Sequence, residues 1–366
     1  MKAHLRHARF CLLALACVLG SLAGSASAQQ DRITLKDGKQ MVAKILSEDF
    51  DGLSYSLEGG SAGKRWDDIE SIRYGSADKY YSALDLYNGG KLEESLPGFK
   101  ELAADAKQRP VLRQNALYYQ GQAHERLNQS DEAIAAYSQL LNDFPKSRYL
   151  LDVGSRLLAI NLAKGDASNA SRVIDEAVKK AQAAGMATGM QAGFGLLRGK
   201  LLEAQGKFDE ASTLYSSTAS ASDASADVAM AGKLGVARCS QGAGRASQAE
   251  SGYRELLGQD APSDVLAGAW NGLGDLSFEP AIAKRDMEGL TDGLLAYLRG
   301  VVLYVPVRGA PSSEHERSLA GASKAFRAIG ELEKTPERKK LYMDRAKACR
   351  DQLAGLYPNS PRLKEL

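Results

Sequence analysis

The sequence predicts a mainly α protein, a solenoid of stacked helix pairs preceded by a small five-stranded β-barrel module. Three observations carry this reading. From residue 76 onward a skeleton of small and aromatic residues recurs six times at near-constant spacing. Between residues 31 and 75, short β-rich runs alternate with turn signals. After the first 28 residues, no uninterrupted apolar run is long enough to cross a bilayer.

Composition narrows the function classes. The 366 residues suit two or three domains or one long repeat array. The chain is 44% hydrophobic and 25% charged, an ordinary globular balance. Setting Lys2, Arg6 and Arg9 aside from 47 basic residues leaves the rest near −1 against 45 acidic ones. That balance calls for no nucleic acid. Of the four histidines, His4 and His7 lie in the first 28 residues, which leaves little for acid–base chemistry.

Residues 1–28, MKAHLRHARFCLLALACVLGSLAGSASA, have a basic start, an apolar stretch from Phe10 to about Leu22, and the small-x-small close Ala26-Ser27-Ala28. This is the pattern of a signal peptide cut after Ala28, and it implies an exported, periplasmic or envelope-associated protein. Cys17 follows Ala14-Leu15-Ala16, a poor lipoprotein processing site. Cleavage removes Cys11 and Cys17 and leaves Cys239 and Cys349. Those two read as buried small hydrophobes, with a disulfide between them as the alternative.

The β module spans residues 29–75. Ile33-Thr34-Leu35 is followed by Lys36-Asp37-Gly38, and Gln40 to Ser47 forms a longer run. Asp51-Gly52 marks a hairpin turn. Leu53, Tyr55 and Leu57 share one face, Gly59, Gly60 and Gly63 bound a loose loop, Trp66 to Ile69 forms one helical turn, and Ser71 to Tyr74 a last strand. The order resembles the Sm-like and SH3-like small barrels. Some Sm-like barrels bind RNA, but seven Lys/Arg against nine Asp/Glu do not suit that here. The module reads as an N-terminal cap on the array, with a separate peptide-binding module as the alternative.

The array spans residues 76–366. In NALYYQGQAHERLNQSDEAIAAYSQLLNDFP (115–145), Gly121, Asn128, Ala133, Tyr137 and Pro145 mark close helix contact, turn, small crossing residue, gap-filling aromatic and end. This segment resembles a tetratricopeptide repeat. The skeleton recurs with Ala83, Gly90, Ser95 and Phe99; with Leu158, Gly165, Ala170 and Ile174; with Gly199, Gly206, Ala211 and Tyr215; and with Ala237, Gly244, Ala249 and Tyr253. A sixth unit opens at Trp270, Leu273 and Gly274 and closes at Leu294, Leu298 and Pro306. The close-packing positions Ala83, Gly121, Leu158, Gly199, Ala237 and Gly274 are 38, 37, 41, 38 and 37 residues apart. The sixth unit has 20 residues from Gly274 to Leu294, and the surplus is expected between its helices in FEPAIAKRDMEG. Ser216 to Asp227 reads as a flexible join. Glu314 to Leu356 reads as two longer capping helices, making six to seven pairs. From Lys334 onward, nine Lys/Arg face four Asp/Glu, either a solvated face or a contact for anionic envelope polymer or lipid.

The resemblance implies a right-handed superhelix whose first helices line a concave, partner-binding face. Its family positions fall on Tyr80, Tyr87, Asn115, Tyr118, Gln122, Glu125, Lys200, Glu203, Arg238 and Gln241. Tyr80 and Leu84 stand where a Lys/Asn peptide-tail clamp would need its groups, so that clamp is not expected. His124 reads as structural and His315 as lying in a polar loop or helix start. No H-E-x-x-H, G-x-S-x-G or P-loop occurs. The expectation is an exported, non-enzymatic scaffold for a protein or peptide partner, with no cofactor, no metal and no nucleic acid. The alternative is contact with cell-wall glycan or the anionic lipid of the outer membrane through the β module and the basic C-terminal helices.

Overall fold

The computed structural model describes residues 30–185, 188–222, 224–306 and 312–366. The expected signal peptide and its cleavage point lie outside the described residues. The chain divides into two compact units, one ending at Val153 and the other beginning at Gly154.

Among the described residues of the first unit six short strands form two three-stranded antiparallel sheets. They are β1 (Asp31–Leu35), β2 (Gln40–Ala43), β3 (Ile45–Glu48), β4 (Gly52–Leu57), β5 (Gly60–Arg65) and β6 (Ile69–Arg73). The sheet orders are β2-β1-β6 and β3-β4-β5. The expected run from Gln40 to Ser47 breaks only at Lys44, so one bent run feeds both sheets. There is one strand more than expected. The Gly60–Arg65 stretch pairs fully with β4, with Gly60 opposite Leu57 and Gly63 opposite Ser54. Ile33, Leu35, Ile45, Leu53, Tyr55 and Ile69 are buried between the sheets and their surroundings.

Among the described residues fourteen α-helices follow: α1 (Asp78–Asn88), α2 (Leu92–Ala104), α3 (Pro110–Arg126), α4 (Ser130–Asp143), α5 (Leu150–Ala163), α6 (Ala167–Ala183), α7 (Thr188–Ala204), α8 (Phe208–Ala219), α9 (Ala226–Gly242), α10 (Ala246–Leu257), α11 (Ser263–Lys284), α12 (Met287–Leu303), α13 (Ser313–Leu332) and α14 (Pro336–Leu356). They make seven consecutive pairs. The first helix of each of the first six pairs ends in the same turn. A left-handed residue (Gly90, Asn128, Gly165, Gly206, Gly244 or Arg285) follows the helix. The next amide donates five residues back, as in Lys91 N to Leu86 O, Gln129 N to His124 O and Asp286 N to Ala281 O, all 2.9 Å. This bond set caps orphan carbonyls and reverses the chain tightly.

The expected spacing residues do meet. A Cβ placed on Gly121 would stand 2.3 Å from the Tyr137 ring, and one on Gly199 2.5 Å from the Tyr215 ring. Each small crossing residue, Ser95, Ala133, Ala170, Ala211 and Ala249, is fully buried. The sixth pair departs from expectation in two ways. Tyr297, rather than Leu294 or Leu298, packs on Gly274, where a Cβ would come within 2.7 Å of its ring. The surplus residues also lengthen the helices instead of forming a loop: α11 runs to Lys284 and only Arg285 and Asp286 separate it from α12. A surplus of about two helical turns returns the aromatic to the same face. The expected join of Ser216 to Asp227 shrinks in the same way, because α8 ends at Ala219 and α9 starts at Ala226.

Two buried ion pairs fasten the sheets to the helices within the first unit. The Asp31 carboxylate, 1% exposed, takes the Arg109 guanidinium in a two-pronged pair and accepts from Ile45 N at 2.6 Å and Gly75 N at 2.8 Å. Glu48, 3% exposed, faces Arg148 Nε at 3.2 Å and accepts from the Tyr74 hydroxyl. Burial pushes the Glu48 carboxyl up, and Arg148 and the Tyr74 hydroxyl oppose that shift. A short backbone bridge joins Asp49 to Ser147.

Candidate functional site

The second unit contains an open groove of about 680 Å³. First helices of successive pairs line it: Glu203 from α7, Arg238 and Gln241 from α9, Asp275 and Glu279 from α11, and Glu314 and Arg317 from α13. The pair tyrosines that fill the gaps also set these polar groups. Tyr215 donates to Glu203 at 2.8 Å, Tyr253 to Gln241 at 2.7 Å and Tyr297 to Asp275 at 2.6 Å. In the first unit Tyr137 donates to Glu125 in the same way. One residue type thus closes the helix pair with its ring and orients a groove side chain with its hydroxyl.

Charge in the groove is largely compensated. Arg238 pairs with Glu314, and Arg317 pairs with Asp275 and lies 3.8 Å from Glu314. Asn271 Nδ2 donates to Glu314 Oε2 at 3.0 Å and to its carbonyl at 2.9 Å. Burial works to raise the Glu314 carboxyl, but Arg238 and Arg317 overcome it and hold the group at about 2. Lys200 presents part of its surface to solvent from α7. Crowding by protein, then the positive charge of Arg238, depress its ammonium. Burial and the neighbouring Asp275 raise Glu279. Glu279 has no hydrogen-bond or ion-pair partner among the described residues. The groove therefore offers fixed donors and acceptors of both signs, suited to hydrogen-bonding a polar chain.

The residues placed on the concave face from sequence separate into two sets. Glu203, Arg238 and Gln241 line the open groove, and Lys200 is not among its lining residues. Those in the first unit are tied into its interior, and two must be removed from the candidate surface. Tyr80 is 4% exposed and packs edge-on against Tyr74 at 5.8 Å, because the β module covers it. Asn115 is fully buried, donating to the Tyr74 hydroxyl at 2.9 Å and accepting from Tyr149. Tyr87 is 8% exposed and donates to Gln122 at 2.7 Å, under the Arg126 guanidinium. Tyr118 is half-buried and stacked on Tyr149 at 3.8 Å, with its hydroxyl donating to Asp152 at 2.7 Å. Gln122 and Glu125 are half-buried in these same bonds.

Sequence reading missed Asp275, Glu279, Glu314 and Arg317. Asp275 directly follows the repeat glycine Gly274, as Lys200 follows Gly199 and Arg238 follows Ala237, so the period could have found it. Nothing periodic marks Glu314 and Arg317.

His124 is 2% exposed, with Nδ1 2.6 Å from Gln129 Oε1, a structural place. His315 lies at the start of α13, where its backbone N donates to the capping Ser312 hydroxyl at 3.1 Å. The position was anticipated but its full burial was not, and burial depresses its imidazole. Cys239 and Cys349 are free thiols. Among the described residues no three His, Cys, Asp or Glu side chains cluster as a metal site, and no helix is long and apolar enough to cross a membrane.

The helix pairs, their repeated turn and their Gly–Tyr contacts define a tetratricopeptide-type solenoid carrying an N-terminal β region. Residues 115–147 match the family model described as tetratricopeptide repeat. Such repeats are characteristic of protein-interaction scaffolds. No curated protein matches the chain. Among solved structures, similarity is found to a tetratricopeptide repeat protein from Parabacteroides merdae, at 14% identity over 79% of this chain and 95% of that one, with a TM-score of 0.48. PilF of Pseudomonas aeruginosa is similar at 15% identity over 69% and 95%, with a TM-score of 0.36. The C-terminal part of a TPR repeat-containing protein from Cytophaga hutchinsonii is similar at 12% identity over 78% and 98%, with a TM-score of 0.39.

Proposed function

We propose that this chain is an exported, non-enzymatic scaffold of the cell envelope that binds a protein partner in the groove between Glu203 and Arg317. The observation that carries the reading is the preorganised groove itself. Successive first helices each present a polar side chain that a tyrosine hydroxyl or an ion pair already holds in place. Groups fixed before binding cost little ordering entropy when a partner docks. Export rests on the leader pattern of residues 1–28. An envelope-polymer or lipid contact has less support, because part of the basic charge near α14 is already paired, Arg338 with Glu333 and Lys347 with Asp351.

The test uses residues 29–366 as bait in extracts of the cell envelope. Glu279→Lys and Gln241→Lys together reverse or add charge at two accessible groove positions and remove only the single Tyr253 bond. The double variant should keep its helical circular dichroism and lose the partner. A folded double variant that retains the partner would refute the groove as the docking site.

A further inference from the structure

The first unit has an opening of its own, about 310 Å³ in volume, beside the strand β6. Trp66, Ile69 and Ile72 form one wall, Tyr81 and Leu84 of α1 and Tyr119 of α3 the other. The Arg148 guanidinium lies 4.9 Å over the Trp66 ring, but its charge is committed to Glu48 at 3.2 Å. The walls of this notch are therefore mainly aromatic and apolar, and the one cation beside them, Arg148, is already paired.

The strand itself is half used. β6 pairs with β1 through Arg73 opposite Arg32, Ile72 opposite Ile33 and Ser71 opposite Thr34. Among the described residues no strand pairs with its other edge. Four consecutive residues, Ile69 to Ile72, border the notch. Side chains alternate between faces along a strand, so four in a row means that the strand's edge faces the opening. A bare edge presents N–H and C=O groups that another extended chain can pair with. At the start of this edge stand Asp68 and Glu70, both exposed and without an ion-pair partner among the described residues.

We infer that the notch is a docking site for an extended peptide segment of a partner protein. The segment adds a strand to the free edge of β6 and seats one large apolar or aromatic side chain between Trp66, Tyr81 and Leu84. It also sets a neighbouring Lys or Arg against Asp68 and Glu70. Ring stacking alone would suit a sugar equally well. The free strand edge and the two uncompensated carboxylates select a basic peptide, since a neutral sugar brings neither a main-chain ladder nor a cation.

Trp66 and Trp270 are the two tryptophans of the chain, so Trp270→Phe makes Trp66 emission a direct reporter. The probe is a synthetic heptapeptide of sequence Thr-Lys-Val-Phe-Val-Lys-Thr, capped at both ends. It should shift Trp66 emission in a saturable way. Binding should weaken more than about tenfold when the probe Phe becomes Ala, as for an interface anchor. N-methylation of alternate probe amides should abolish it, because the ladder is lost. Glu70→Lys, at an exposed position, should weaken binding while the thermal melt is unchanged, and Leu84→Glu should abolish it. If Leu84→Glu fails to fold, Glu70→Lys and the methylated probe still decide. Equal binding of the methylated probe, indifference to Glu70→Lys, or a shift produced by chitotetraose and not by the peptide would overturn the inference.

Discussion

Gly199 and Tyr215 are in direct contact, so that a Cβ on the glycine would come within 2.5 Å of the tyrosine ring. The same ring lies as close to Gly235, so Tyr215 sits between first helices of consecutive pairs. Tyr297 repeats the arrangement with Gly274 and Gly321. Each aromatic therefore ties a pair together, ties it to the next, and aims its hydroxyl at the groove.

Gly199→Val should overpack this contact and lower stability by about 1–3 kcal/mol. Because repeat units couple mainly to neighbours, hydrogen exchange should rise in α8 and α9 as well as α7. Gly355→Ala gives the opposite sign. Nothing lies within 4 Å of a Cβ at that helical position, and stability should rise by about 0.5–1 kcal/mol. Thermal melts of both variants check the pair.

Arg109→Ala should be among the most damaging substitutions in the first unit. It leaves Asp31, 1% exposed, without its cation, and breaking a buried pair from one side costs about 3–5 kcal/mol. Asp31→Asn with Arg109→Met should be milder than Arg109→Ala alone. Urea melts of the three proteins measure this; an Arg109→Ala protein as stable as the parent would contradict the fastening of sheets to helices.

Tyr87→Ala and Tyr118→Ala should act on stability. Tyr87 is 8% exposed and Tyr118 is stacked 3.8 Å from Tyr149. Truncating a largely buried aromatic typically costs about 3–5 kcal/mol, with half-buried sites at or below the lower end. Loss of partner capture with unchanged melting would instead place these two residues on the docking surface.

The groove should be acid-sensitive. Arg238 and Arg317 outweigh burial and hold Glu314 at about 2, below the ordinary glutamate value of about 4.5. The folded state thus favours the ionised carboxylate. Its contribution is present above the unfolded value and is lost as pH falls from about 4.5 to 2. Glu314→Gln should flatten the stability–pH curve in that window, and urea midpoints from pH 6 down to 2.5 measure it. An unchanged slope would show that the Arg238–Glu314 pair contributes nothing.

The solenoid was readable because its contacts are local and periodic. Gly121 with Tyr137, Gly199 with Tyr215 and Ala237 with Tyr253 are each separated by the same interval. The sixth pair was misread at Phe278-Glu279-Pro280, where a proline normally signals a break, yet α11 carries Pro280 inside it. Its turn was hidden too, since Arg285 in the left-handed region is no sequence signal. The strand β5 was hidden by its glycines, which carry no strand propensity. Part of the groove was legible, because Glu203, Arg238 and Gln241 fall on the family positions. Glu314 was not, because it meets Arg238 across 76 residues of sequence with no repeat to announce it. The interior polar network of Asp31, Glu48, Asn115 and Arg148 was equally silent, and it is why Tyr80 and Asn115 are not on the surface.

The most direct test of the groove as docking site is site-specific photo-crosslinking in intact cells. A photoreactive phenylalanine analogue is placed at Glu279 in the groove, at Ile72 in β6, and at Glu250 on α10 as a control. The groove reading predicts one discrete protein adduct from position 279, lost on adding Gln241→Lys, and none from position 250. No adduct from position 279, or one of equal strength from position 250, would contradict it.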